Sequence, residues 1–103
     1  FNMEQRTEST SLHLLLSAAR DAVLACQRMV DTGDTVLLLA DGVMVLAEER
    51  PPGFGDGVDV VYNRTDIEAR GLVALAAGAA VAVVADRDLP PLLRRHRHCV
   101  SGK

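Results

Sequence analysis

A chain of 103 residues, 49% hydrophobic and 24% charged, is long enough to bury one core without disulfide or metal staples. Its formal net charge of −3 argues against direct binding of a nucleic-acid backbone, which needs a basic surface. With two Phe, one Tyr and no Trp, the core has to be built from Leu, Val and Ala, and continuous aliphatic runs suit parallel strands buried on both faces.

The chain opens on Phe1-Asn2-Met3, read as a short remnant ahead of a native Met3, and residues 1–10 form a polar extension without the apolar centre of a signal sequence. Residues 11–103 are expected to make one domain. Two cysteines and no leader fit a reducing, cytoplasmic setting. The longest apolar run, 72–85, is diluted by Ala and Gly and falls short of the roughly 20 residues a membrane helix needs. No membrane attachment is expected.

The first aliphatic run, 12–16, reads as a strand with His13 alternating inside it. Ala19, Val23, Cys26 and Val30 then recur at helical spacing, with Arg20, Gln27, Arg28 and Asp31 elsewhere, which is the pattern of an amphipathic helix. Gly33 fits its C-terminal stop. Residues 35–40 form the second strand, which ends at the turn pair Asp41-Gly42, and 43–48 are expected to be a short helix despite their β-branched residues. Pro51-Pro52-Gly53-Phe54-Gly55-Asp56-Gly57 combines fixed φ, permissive glycines and no apolar period, so it is a loop. The third strand covers 58–62. Thr65 or Asn63 can cap a helix over 66–70, with Gly71 stopping it. Residues 73–77 either extend that helix to Gly78 or make an irregular connection, and 79–85 are the fourth strand. The segment 88–96 begins like a helix, with Asp88 as cap and Pro90 and Pro91 in the first turn.

Strands alternating with helices at this spacing give right-handed crossovers and a single three-layer α/β domain with a mainly parallel central sheet. Sites in such sheets form at the carboxyl ends of the strands, where Ser17, Asp41, Asn63 and Asp86 fall.

Cys26 shares a stripe with Val23 and Val30, a position where a free cysteine is usually inert core. The competing reading is a reactive thiol, which requires a thiolate. Cys99 is the second candidate. It follows Arg94-Arg95-His96-Arg97-His98, and clustered cations favour a thiolate; its plain alternative is an exposed thiol on a mobile tail. The same basic run can steer an acidic partner or simply be solvated. His96, His98 and Cys99 are too crowded for the usual zinc spacings, and no metal or other cofactor is expected. His13 is read as a hydrogen-bonded core histidine rather than a base. The glycines at 53–57 follow a helix and lack Lys-Ser/Thr, so they are not a phosphate loop. No nucleophile, base and orienting carboxylate fall in a recognised arrangement, which argues against a stand-alone enzyme.

Leu12-His13-Leu14-Leu15, Val23-Leu24-Ala25-Cys26-Gln27-Arg28, Gly33-Asp34, Asp41-Gly42-Val43, Asp66-Ile67-Glu68-Ala69-Arg70-Gly71-Leu72 and His96-Arg97-His98-Cys99-Val100-Ser101, in that order, resemble the TusB/DsrH family. The likeness runs over residues 11–101. In the DsrH branch a cysteine occurs in this first-helix context, within a pattern like Leu-Leu-Ala-Cys-Leu-Arg. The resemblance implies a DsrE-like fold and a subunit of a sulfur-relay (sulfurtransferase) complex, acting by persulfide transfer in tRNA wobble-uridine 2-thiolation or in sulfur oxidation. It implies heterohexamers with two sister subunits, of the TusC/TusD or DsrE/DsrF type, and a downstream sulfur-acceptor protein; self-association is expected when the chain is alone. The cysteine that receives the persulfide in those complexes is generally on a sister chain. Two readings follow, a sulfur carrier at Cys26 and a non-catalytic assembly module whose thiols are incidental. The family's common Ser-Trp ending is here Ser101-Gly102-Lys103, which removes an aromatic contact from the tail.

Overall fold

The computed structural model describes residues 10–96 and 98–102. Residues 1–9 of the expected polar extension, and Arg97 of the basic run, lie outside the described residues. Strands β1 (Ser11–Leu15), β2 (Thr35–Leu38), β3 (Asp59–Asn63), β4 (Ala82–Val84) and β5 (His98–Gly102) form one sheet in the order β4-β3-β2-β1-β5. Every neighbouring pair is parallel. The connections carry α1 (Arg20–Met29), a 3₁₀ helix (Ala40–Ala47), α2 (Arg64–Ala69), α3 (Val73–Ala79) and, after a 3₁₀ turn at Asp86–Asp88, α4 (Leu89–Arg95). The first four strands are laid side by side in one direction, and the chain then returns to place β5 beside β1. Because parallel crossovers are right-handed, this reversal moves the last helix to the opposite face. The three-layer α/β domain expected from the sequence is the one observed.

Leu15, Val36, Leu38 and Tyr62 pack on one side of the sheet with Val23 and Cys26 of α1, Val43 and Val45 of the 3₁₀ helix, Ile67 of α2 and Ala76 of α3. Leu12 and Leu37 point the other way and meet Leu92 of α4, flanked by half-buried Leu14, Leu39, Val61 and Val84. Side chains alternate between faces along each strand, so one aliphatic run supplies both cores.

Several local features differ from the sequence reading. Residues 98–102 are a strand and not a loose tail, with Cys99 in register with Leu12. The β1 edge would otherwise leave its main-chain groups unpaired, and a main-chain ladder needs no aromatic anchor. Helix α1 stops at Met29, with Val30 already extended, so Gly33 is not its stop. Instead Gly33, at φ 95°, turns the chain into β2 and donates its N–H to the Gly57 carbonyl at 2.8 Å. The 3₁₀ helix begins before the expected 43–48 segment and takes in Asp41-Gly42. Ala40, at φ 52°, makes the reversal, while Gly42 is required because a Cβ there would run into the Leu15 carbonyl oxygen. Asn63, not Thr65, caps α2 by accepting the Asp66 N–H at 3.0 Å, and Gly71 at φ 66° follows its end. Residues 73–79 form their own helix, closed by Ala80 at φ 54°, which leaves β4 only three residues. Asp88 makes no side-chain cap; α4 is entered from the preceding 3₁₀ turn, with proline in its first positions.

Candidate functional site

Helix α1 leaves the carboxyl end of β1 and runs back along the sheet. Asp21 in its first turn and Arg28 in its last complement the helix dipole, and Ala22, Val23 and Cys26 form its buried face. Cys26 is only 7% exposed. Burial pushes its thiol pKa up, so little thiolate forms at neutral pH. Cys99 is exposed and sits toward the amino end of β5, beside Leu12. The two thiols are therefore on different layers, one beneath the first helix and one on an edge strand.

The four strand-end residues have separate fates. Ser17 Oγ accepts the Ala19 N–H at 3.0 Å just ahead of α1. Asn63 Nδ2 donates to Asp86 Oδ1 at 2.9 Å, and Thr65 Oγ1 donates to Asp86 Oδ2 at 3.0 Å. Arg70 reaches Asp41 through Nη2 at 3.0 Å and Asp66 through Nη1 at 3.2 Å, while Asp66 Oδ2 accepts the Ala40 N–H at 2.8 Å. The structure thus brings Asn63 and Asp86 together and links Asp41 to Asp66 through Arg70. These carboxylates are occupied in bracing the ends of β2, β3 and β4. From the sequence Thr65 was a candidate helix cap and Asp66 and Arg70 part of the helix 66–70 and of the family resemblance, but none was placed at the strand ends, where the structure puts them.

A second polar cluster lies at the opposite, amino end of the sheet. Asp34 and His13 are buried, and His13 Nε2 lies 2.9 Å from Asp34 Oδ2. Asp34 also accepts the Ser11 N–H at 2.9 Å and the Asp31 N–H at 3.0 Å. Burial pushes its carboxyl pKa up, but these hydrogen bonds and the nearby imidazole outweigh it and hold the carboxyl below its ordinary range. His96, at the end of α4, spans the Thr10 and Thr35 hydroxyls at 2.8 Å on each ring nitrogen. Burial and the Arg95 charge lower its pKa. Both ring nitrogens being engaged, His96 is not free to hold a metal, and no group of three potential metal-ligating side chains occurs among the described residues. A histidine in an aliphatic strand was the sequence signal for this cluster, because a buried imidazole demands a polar partner. Among the described residues, no buried side-chain nitrogen or oxygen lacks one.

An open cleft of about 400 Å³ lies between α1 and the loop after the 3₁₀ helix, lined by Arg20, Val23, Leu24, Gln27, Glu48 and Pro52 among others. No helix among the described residues is long and apolar enough to cross a membrane.

These features define a small, all-parallel α/β subunit with one thiol sealed under its first crossover helix and a second on an edge strand. The chain belongs to the DsrH-like family, whose model, described as DsrH like protein, matches residues 16–86, more than half of the sequence. That family comprises sulfur-relay subunits that work in complexes with other sulfur-relay proteins. The matched span holds Cys26, Ser17, Asp41, Asn63 and Asp86 and leaves out Cys99. No curated protein matches the chain.

Proposed function

We propose that this chain is an assembly subunit of a sulfur-relay complex, joining sister DsrE-like subunits while a thiol on one of them carries the sulfur. The observation that carries this reading is the burial of Cys26 with its raised thiol pKa. A persulfide acceptor has to expose a thiolate to the incoming sulfur, and Cys26 in this conformation does neither. The sister chains are of the TusC/TusD or DsrE/DsrF type, and the complex hands sulfur to a downstream acceptor protein in the cytoplasm. The process served is tRNA wobble-uridine 2-thiolation or sulfur oxidation, with any RNA met through a partner rather than by this acidic chain.

The second reading keeps sulfur on this chain, with Cys26 as carrier and Cys99 as the weaker alternative. Its support is that Cys26 falls inside the span matched by the family model and that Cys99 is exposed. Reconstitution separates the two. A thiol-free chain carrying Cys26→Ser and Cys99→Ser, added to the sister subunits, is expected to form the complex and restore sulfur transfer as well as the native chain. A complex that assembles but transfers no sulfur assigns carriage to this chain. Failure of the native chain to join sister subunits, read by light scattering, overturns the relay-subunit reading itself.

A further inference from the structure

Residues 48–58 connect the 3₁₀ helix to β3 without regular structure. Of the stretch 51–57 only Phe54 is buried, and it belongs to the same packed cluster as Cys26. Around it the chain is tethered lightly. Gln27, the residue after Cys26 on α1, donates from Nε2 to the Gly53 carbonyl at 2.7 Å, an exposed contact. Thr32 Oγ1 donates to the Asp56 carbonyl at 3.3 Å, also exposed, and the Gly33 N–H holds the Gly57 carbonyl. A Cβ placed on Gly53 or Gly55 would meet nothing within 4 Å, so the backbone on both sides of Phe54 borders open space. The cleft between this segment and α1 is lined by Val23 and Gln27, which flank Cys26 along the helix.

We propose that residues 48–58 form a strap that seals the Cys26 thiol, with Phe54 as its plug and Gln27 as its latch, and that lifting the strap exposes the thiol while the rest of the fold stays intact. Phe54 is the one buried side chain of the strap, half-buried Val58 at its end packs on the same core, and the remaining tethers are a few hydrogen bonds, whereas β1, β2 and β3 are each paired on both edges. Local opening concentrates in segments with few buried contacts and solvent-exposed hydrogen bonds. Glycines on each side of the plug let the backbone swing without moving β3, which starts only at Asp59. The inference goes beyond the assembly role proposed above, since it makes access to Cys26 conditional on the movement of this loop.

The test measures the rate at which Cys26 reacts with a small thiol reagent, 5,5′-dithiobis(2-nitrobenzoate), in a Cys99→Ser background that removes the exposed competitor. Phe54→Ala is expected to raise that rate about tenfold or more and Gln27→Ala, which removes one exposed hydrogen bond, about two- to fivefold, as a locally destabilised strap opens more often. Leu92→Ala, on the other side of the sheet, destabilises the fold without touching the strap and is expected to leave the rate unchanged. Equal rates in the Gln27→Ala, Phe54→Ala and parent proteins overturn the proposal. So does a Leu92→Ala rate that rises as much as that of the strap variants, because Cys26 is then reached by global unfolding. The measurement uses the isolated chain, so its outcome does not depend on whether the chain joins a relay complex.

Discussion

Replacing Asp34 tests whether the amino-end cluster fastens the fold. Its carboxylate accepts from Ser11 N–H, Asp31 N–H and His13 Nε2 at 2.9 to 3.0 Å, tying β1 to the turn that leads into β2. Asp34→Ala abandons all three groups. Each buried donor left without its acceptor costs about 1–3 kcal/mol, and more where the acceptor was a charged carboxylate. The Ser11 and Asp31 amides are only part-buried and regain some water, which puts the expected loss at about 3–5 kcal/mol. That is a large share of the roughly 5–15 kcal/mol by which a domain is stable. Asp34→Asn keeps one oxygen for Ser11 and puts an amide nitrogen where Oδ2 stood, so the Asp31 N–H loses its acceptor. Its expected cost is about 1–3 kcal/mol. Urea unfolding followed by far-UV circular dichroism near neutral pH measures both. If Asp34→Ala unfolds within about 1 kcal/mol of the native chain at an unchanged m-value, the cluster is not the fastening described here.

Acid should weaken the fold in two steps. His96 is held below its ordinary 6.5, so its contribution is complete above that pH and declines as pH falls through 6.5 toward the folded value; Asp34 is held below its ordinary 3.8, so its contribution persists above 3.8 and is lost as pH falls through the lower folded value. Urea midpoints across the range are expected to fall first below about pH 6.5, a step that His96→Gln flattens, and again below about pH 4. Gly42→Ala is expected to cost about 2–3 kcal/mol by overpacking, because the added methyl meets the Leu15 carbonyl oxygen; a thermal or urea midpoint unchanged from the native chain refutes the claim that the 3₁₀ helix needs glycine there.

The parallel sheet was legible because its first four strands fall in continuous aliphatic runs, the mark of strands buried on both faces. The amphipathic stripe likewise placed α1, including the inward direction of Cys26. β5 left no such mark. It begins within the basic run, lacks an aliphatic stretch and gains its place from pairing with the β1 edge, an interaction between main-chain groups that side-chain patterning does not report. The split of 66–79 into α2 and α3 hinged on Gly71 at φ 66°, and an alanine-rich run is compatible with helix or strand until the register with β3 is known. At the site level, strand-end geometry picked out Asp41, Asn63 and Asp86 but not what they do. Arg70 meets Asp41 across 29 residues of chain, and Asn63 meets Asp86 across 23; such pairings depend on how the strand ends are stacked, which periodicity does not encode.

The two ends of the sheet are spent in similar ways. At the amino end Asp34, His13, Thr35 and His96 satisfy one another, and at the carboxyl end Asn63, Asp66, Arg70 and Asp86 do the same. Polar groups saturated within the chain stiffen a fold but have little capacity left for a substrate. A sulfur-relay subunit built this way has to act through what is not saturated, its docking surfaces and its thiols. Of the thiols, Cys99 is open but lies outside the family-matched span, whereas Cys26 lies inside it but is closed. The lightly tethered loop beside Cys26 is therefore the element whose movement decides whether Cys26 can carry sulfur. If it stays shut when other relay subunits bind, Cys26 carries no sulfur. If it lifts, the first helix offers a thiol to the complex.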